Sequence, residues 1–488
     1  MPLYKIGPTA VAFAVVLNAF EASGMKYTKS NELFNILWAK RATPYTLESL
    51  TPYQKVNHFP GAWGLGRKDN LAVNINMMKR YHGEEVYGIT PPSFWIPRQQ
   101  ADLEKDAARD RGDAENPPIY IVKPCASSCG RGITLHKGVP PMPVFLKEFV
   151  CQRYIGDPLL ISGRKFDLRL YCVVTSFDPL RIYLFDEGLV RFAAMKYPGS
   201  DKELDNINMH LTNYSINKTA ELKRQTGEKG LESEDPIEIK WCISDLKKYL
   251  MNNHPDGIKA WETIQRGCDD TVVKAFLSVE NSVIERIRQS CLDKTGRNCF
   301  ELFGIDLLVD SRLKVWLIEM NIMPSLATGS NLDKAVKSRM LAHMLTLIRV
   351  IPNRRNALDD QPNENGSDHE PGEDYVPRGA APTTPERIYK FGHHPAASSY
   401  IKRVPLLKRF NDPNVEESML SRAEVLMLIE AEEEMHCAGG FRRVFPASDT
   451  LDLYLPLFTH GVRRNNFLLA SAVKQKVKNS ECILNLGI

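Results

Sequence analysis

Between residues 301 and 321 the chain reads ELFGIDLLVDSRLKVWLIEMN, two apolar runs separated by a short polar break. Runs of this kind predict two strands paired as an antiparallel hairpin. A turn through Arg312 and Leu313, or a four-residue loop from Ser311 to Lys314, sets Asp306 opposite Glu319. Successive strand residues face opposite ways, so Glu319 and Asn321 share the face of Asp306, while Trp316, Ile318 and Met320 take the other. Like charges directly opposed in a ladder are destabilising. Either this face is open to water, or a cation lies between the carboxylates; two carboxylates and an amide oxygen suit Mg²⁺, which takes few protein oxygens. These residues alone leave both readings open.

The rest of the chain predicts an α+β protein. From Ile119 to about Val350 the runs IYIVK, GITLH, FDLRLYCVV and RIYLF alternate with polar loops, a pattern that suits antiparallel pairing. DDTVVKAFLSVENSVIERIRQSC and LDKAVKSRMLAHMLTLIRVI carry apolar residues at helical spacing, and each predicts one long helix. The N-terminal run TAVAFAVVLNAF is too short to span a bilayer and reads as a buried strand. Residues 353–386 are polar, rich in Pro and Gly and nearly free of large apolar side chains, which predicts a linker. An acidic amphipathic helix, VEESMLSRAEVLMLIEAEEEMH, and mostly basic segments follow.

With 488 residues, 43% hydrophobic and 25% charged, the chain is a folded protein of several domains. A formal net charge of +4 gives no case for nucleic acid, and ten cysteines without a CxxC pair give none for zinc or a disulfide framework, so a reducing compartment is expected. Cys125 and Cys129 read as small loop residues rather than a redox pair.

Two stretches suit phosphate. IYIVKPCASSCGRGITLHK is strand, small-residue loop, strand, with Lys123 ending the first strand; glycines let backbone N–H groups approach an anion. It has neither a P-loop nor a dinucleotide fingerprint, and GRG in a loop is more often a plain turn. In SGRKFDLRLYCVV the period-2 rule sets Lys165, Asp167 and Arg169 on one face, against Phe166, Leu168 and Leu170. That face is a ligand comb or a solvated edge. Arg191, Thr212 and Asn213 add polar groups within apolar runs.

NHFPGAWGLGRKDNL, IVKPCASSCGRGI, QRYIGDPLLISGRKFDLRLY, SFDPLRIYLFDEGLVRFA, MHLTNYSINK, CFELFGIDLLVD and VWLIEMNIMPSL, taken in order, resemble the signature blocks of the tubulin tyrosine ligase-like proteins, most closely the polyglutamylase branch. The resemblance runs from about Asn31 to Val350. It implies an ATP-grasp fold, two α+β subdomains clamping ATP between antiparallel sheets, with a small N-terminal α/β domain and a helical C-terminal extension. The implied divisions are 1–66, 67–155 and 156–352, then a disordered linker over 353–400 and a helical, basic extension over 401–488.

Carried over by block, the resemblance makes Lys165, Arg169 and Arg191 catalytic. It assigns nucleotide binding to Lys68, Lys123, Ser128, Gly130, Arg131, Gly132, Ile133, Lys165 again, Asp167, Thr212 and Asn213, and adenine contact to Gln152 with Arg153, Tyr154 and Ile155. Asp306, Glu319 and Asn321 would hold Mg²⁺. The implied activity is ATP-dependent addition of free L-glutamate, through an acyl phosphate, to glutamate γ-carboxylates in acidic tubulin tails. Ligation of glycine or tyrosine, a non-tubulin acceptor, or an inactive microtubule-binding protein are its neighbours. A cytoplasmic, cytoskeletal monomer is expected, with cilium, flagellum or basal body as candidate sites, and neither nucleic acid nor membrane as partner. Met320 stands where the family more often has valine, Cys129 where polyglutamylases often have arginine, and Met323 where a small residue is common.

Overall fold

The computed structural model describes residues 1–109, 117–125, 127, 130–141, 148–199, 201–213, 216–217, 240–351 and 420–485. Ser128, Cys129 and the segment expected to be a linker lie outside them. Near the N-terminus, β1 (Leu3–Ile6), β2 (Lys26–Tyr27), β3 (Ile36–Trp38) and β4 (Lys55–Val56) form a parallel sheet in the order β2-β1-β3-β4. Parallel neighbours need a crossover. The apolar run expected to be a buried strand supplies it as helix α1 (Ala14–Ala22), and burial of Val15, Val16 and Phe20 follows helical spacing rather than alternation. The expectation fails because a short apolar run does not report which period its buried face will use.

At β4 the chain is tied to residues 298–300: Val56 N donates to Asn298 O at 2.8 Å, and Phe300 N donates to Val56 O at 3.0 Å. Buried His58 and Glu301 meet at 2.7 Å, and the same carboxylate accepts from Phe59 N. Burial opposes charge on His58, but Glu301 overcomes it and raises the imidazole pKa. A raised folded-state pKa contributes stability that is complete below the unfolded value of about 6.5 and is lost as pH rises through the folded value. Wild-type unfolding free energy should carry a His58 contribution falling by about 1.4 kcal/mol per pH unit above that point. Urea titrations from pH 6 to 9 should show this slope disappear in Glu301→Gln, whose amide can face a neutral ring; an unchanged slope would refute the assignment.

Helix α2 (Lys68–His82) leads to an antiparallel sheet of β5 (Ser93–Ile96), β6 (Ile119–Pro124), β7 (Thr134–Lys137) and β8 (Phe149–Arg153), ordered β5-β8-β6-β7. The largest sheet follows. Its strands are β9 (Leu160–Ile161), β10 (Arg164–Phe177), β11 (Leu180–Phe192), β12 (Lys240–Cys242), β13 (Glu301–Val309), β14 (Val315–Ile322) and β15 (Phe441–Phe445). All pairs are antiparallel; the order is β12-β11-β10-β13-β14, with β9 on β10 and β15 on β11.

On β10, Phe166, Leu168 and Leu170 enter the main core, packed with α3 (Gly257–Leu277) and α4 (Glu280–Ser290). The other face changes character along its length. Tyr171 and Val173 are covered by a second core containing α1 and α5 (Asn331–Leu347), whereas Lys165, Asp167 and Arg169 carry the polar half. Because β10 is central, the solvated-edge reading of those charges does not hold. The long helix expected over 269–291 is broken at Ser278 and Val279: the Ser278 hydroxyl donates to Ala275 O at 2.6 Å, satisfying a carbonyl locally where the chain turns.

The hairpin β13–β14 departs from the expected turn. Asp310 accepts from Arg312 N and Lys314 N, each at 2.9 Å, and from the Trp316 indole at 3.0 Å, which shapes a connection over 310–314 and pairs Val309 with Val315. That register is one residue off. A bulge between Asp306 and Leu307 restores the pair Asp306–Glu319, leaving Ile318 as the extra residue. Leu317 and Met320 therefore both enter the core, Trp316 shares the side of its partner Leu308, and Ile318 turns into the cleft, contrary to simple alternation.

Helix α6 (Arg422–His436) opens with a Ser421–Glu424 capping box, and α7 (Arg464–Asn485) follows β15. The described part of the C-terminal segment is thus tied into the large sheet through β15, beside which buried Glu434 of α6 accepts from Thr175 and Tyr183 hydroxyls, each at 2.9 Å.

Candidate functional site

A cleft of about 850 Å³, its open mouth included, separates the four-stranded sheet from the polar half of the large one. Lys123 of β6 and the β8 end, Gln152 to Ile155, form one wall; Lys165 and Asp167 of β10, Asp306 of β13 and Glu319 of β14 form the other. Lys68 at the start of α2, Gly130, Arg131 and Ile133 of the small-residue loop, and Thr212 with Asn213 close the sides. At Gly130 φ is +75°, and a Cβ there would come within 3.0 Å of Asn213 Oδ1 and 2.6 Å of Ile216, so the close approach of the loop to these two residues requires glycine.

The floor is a ladder of charges across four neighbouring strands. Arg191 of β11 faces Asp167 of β10, Arg169 of β10 faces Asp306 of β13, and Asp306 faces Glu319 of β14. Arg191 Nε and Nη2 grip Asp167 at 2.7 and 2.5 Å, and Nη2 lies 3.0 Å from Asp306. Arg169 grips Asp306 with Nε and, at 2.9 Å, with Nη2. Lys68 Nζ lies 3.2 Å from Glu319 and donates to Ser127 O at 2.9 Å. The repulsion expected between Asp306 and Glu319 is therefore relieved by protein cations, so that repulsion by itself does not require a metal.

Electrostatics set the protonation of these groups. Burial pushes the Asp306 carboxyl up, but Arg169 and Arg191 prevail and hold it at about 2. Burial lowers Lys123 to about 8, with Glu319 opposing, and lowers Lys165 to about 7, with Asp167 opposing and Lys123 adding. Lys123 Nζ donates to Gln152 at 2.6 Å, and the Gln152 amide donates to Ser93 at 2.8 Å. Ammonium groups so poorly solvated gain much from a polyanion.

The donor set also fits a hard cation. Of about four lone-pair sites on a carboxylate, Asp306 spends three on guanidinium N–H groups, and Glu319 meets Lys68. Asn321, on the same face, donates its amide to Gly304 O at 3.4 Å, which leaves its own oxygen available. Among the described residues no three His, Cys, Asp or Glu side chains gather. An ion here would thus take two carboxylates and an amide, with the remaining positions for water and phosphate.

Of the residues singled out from sequence, Arg169, Arg191, Gly132 and Asn321 do not line the cleft; the two arginines lie beneath it, engaged with Asp167 and Asp306. The remaining described ones do line it. Sequence reasoning missed His210, Leu211, Leu308 and Ile318. Leu308 follows Asp306 by two and was reachable by alternation, His210 stands two before Thr212 in the same block, and Ile318 depends on the bulge.

Fold and cleft together define a class: an α+β protein that brings two antiparallel sheets around a lysine-rich site with carboxylates on its floor. The model of the tubulin-tyrosine ligase family matches residues 46–358, and the chain belongs to that family. It is 33% identical over 467 residues to the mouse (Mus musculus) tubulin polyglutamylase TTLL5, covering 93% of this chain and 32% of the relative. It is 34% identical over 439 residues to the human (Homo sapiens) tubulin monoglutamylase TTLL4, covering 89% and 34%. With the Caenorhabditis briggsae tubulin polyglutamylase ttll-4 it shares 33% over 454 residues, covering 91% and 68%. The chain spans about a third of the length of these mammalian relatives.

Proposed function

We propose that this chain is an ATP- and Mg²⁺-dependent ligase that joins free L-glutamate through an isopeptide bond to glutamate γ-carboxylates in acidic tubulin tails, on an ATP-grasp frame. The observation that carries the reading is the convergence of Lys68, Lys123 and Lys165 from three separate elements on a cleft that also holds Asp306 and Glu319. The names of the relatives support glutamate and tubulin, and the apolar side chains Ile121, Leu211, Leu308 and Ile318 in the same cleft suit a flat base.

In this reading the three lysines meet phosphates, Gln152 to Ile155 border the adenine, and Asp167, Thr212 and Asn213 take the remaining polar groups of the nucleotide. Gly130, Arg131 and Ile133 of the small-residue loop border the phosphates. Asp306, Glu319 and Asn321 would hold Mg²⁺, which supplies charge neutralisation when bound. Arg169 and Arg191 act through Asp306 and Asp167, holding both carboxylates in place. An acceptor γ-carboxylate oxygen attacks the γ-phosphorus and ADP leaves. The glutamate amine, having lost a proton, then attacks the acyl carbon, an amide forms and inorganic phosphate departs. Such chemistry needs position and charge rather than a side-chain nucleophile.

Incubation of the protein with microtubules, ATP and labelled glutamate, glycine or tyrosine should give glutamate incorporation, reduced at least about a hundredfold by Glu319→Gln or Lys165→Met. Incorporation of glycine alone, or a rate untouched by both substitutions, would overturn the proposal.

A further inference from the structure

Lys165 Nζ donates to the Tyr154 hydroxyl at 2.9 Å and lies 4.2 Å over the Tyr154 ring and 5.8 Å from the Tyr197 ring. The Tyr154 hydroxyl in turn is 3.0 Å from His210 Nδ1, and His210 Nε2 is 3.1 Å from the carbonyl oxygens of both Lys202 and Glu203. A carbonyl oxygen can only accept, so Nε2 bears the ring proton. His210 is 1% exposed, and burial followed by the charge of Lys165 lowers its pKa, so the ring is neutral and Nδ1 is an acceptor. The Tyr154 hydroxyl also meets that of Tyr197, whose own O–H donates to Gly156 O at 3.0 Å, but only a Tyr154 O–H turned to Nδ1 gives the buried ring nitrogen a donor, and that turn leaves the phenol lone pairs toward Lys165. Each bond in the chain has one direction, from Lys165 N–H to Tyr154 O, from Tyr154 O–H to Nδ1, and from Nε2–H to the two carbonyls.

Tyr154 does not offer its backbone N–H to a ligand, because that group donates to Ile119 O at 2.8 Å. Its side chain is the part that faces the cleft's chemistry. We infer that Tyr154 and His210 are positioning residues that hold Lys165 as an oriented cationic donor for the nucleotide, a role that rests on the ligase reading above. Lys165 is a group whose charge needs support: it is 6% exposed, with Lys123 of β6 beside it and only Asp167 of its own strand opposing. Tyr154, Tyr197 and His210 supply the other facing groups, none of them anionic at neutral pH. Among the described residues the phenol oxygen is thus the neutral acceptor fixed on Nζ, and the other ammonium protons can turn to a phosphate.

The test titrates the full chain with a fluorescent ATP analogue from pH 6 to 9, alongside KM and kcat for ATP. Tyr154→Phe keeps the ring but removes the acceptor, so affinity should fall about tenfold and the alkaline limb should move to lower pH by about one unit, with KM rising more than kcat falls. His210→Asn, whose amide oxygen takes the place of Nδ1, should retain the wild-type limb. His210→Gln, which reaches only the carbonyl end, should resemble Tyr154→Phe. If Tyr154→Phe fails to fold, the contrast between the two His210 variants decides, and equal profiles for them overturn the inference. So does a Tyr154→Phe profile identical to that of a nucleotide-binding wild type. A wild type that binds no nucleotide defeats the ligase reading itself.

Discussion

Asp306→Asn should lower the unfolding free energy at neutral pH by roughly 3–5 kcal/mol and remove ligation as well. Asp306 is 5% exposed and receives both Arg169 and Arg191. An asparagine would turn N–H groups toward guanidinium N–H groups and leave two buried cations with Asp167 alone. Because Asp306 is held at about 2, its contribution is present above the unfolded carboxyl pKa of about 3.9 and lost as pH falls through the folded value. The stability gap between wild type and variant should be constant from pH 7 to about 5 and narrow below about 4. Urea unfolding across that range measures it. In a double-mutant cycle, Arg169→Met should recover part of the loss, because it removes one of the stranded charges. A gap under about 1 kcal/mol would mean that the charge ladder does not hold the sheet together.

Removal of residues 420–488 should leave a chain that does not accumulate as soluble protein. Strand β15 pairs with Ile182 to Phe185 of β11, and its loss would open that edge while uncovering the apolar residues beneath it. Arg181 Nε lies 3.1 Å from Glu434, whose carboxylate also serves Thr175 and Tyr183; all four side chains are buried. The finer test is Glu434→Ala, which leaves two hydroxyls without their acceptor and the Arg181 charge without its carboxylate, and should cost roughly 3–5 kcal/mol. Thermal unfolding and limited proteolysis of both variants decide the point. A soluble truncated chain with the wild-type melting temperature would show that the segment is an appendage rather than part of the sheet.

Much of the frame can be read from the chain alone. The period-2 pattern of KFDLR separates Lys165, Asp167 and Arg169 from Phe166, Leu168 and Leu170, and the antiparallel pairing of the six main runs follows from their length and spacing. The helix α1 was not legible, because a short apolar run suits either period and only the need to cross between parallel strands chooses. Nor was the bulge at Ile318, which exists because Asp310 draws the turn out by one residue while the core still requires Met320.

Along a strand without a bulge, such as the Lys165–Arg169 part of β10, the sequence by itself determined which side chains share a face, since alternation is a property of the backbone and needs no neighbour. Only the tertiary structure decided what those faces meet. Arg169 and Arg191 look equivalent to Lys165 in the linear pattern, yet cross-strand register turns the arginines onto Asp306 and Asp167 and leaves the lysine in the cleft. Charges find their partners through strand pairing and burial, and those distances are set by the packing of segments far apart in the chain.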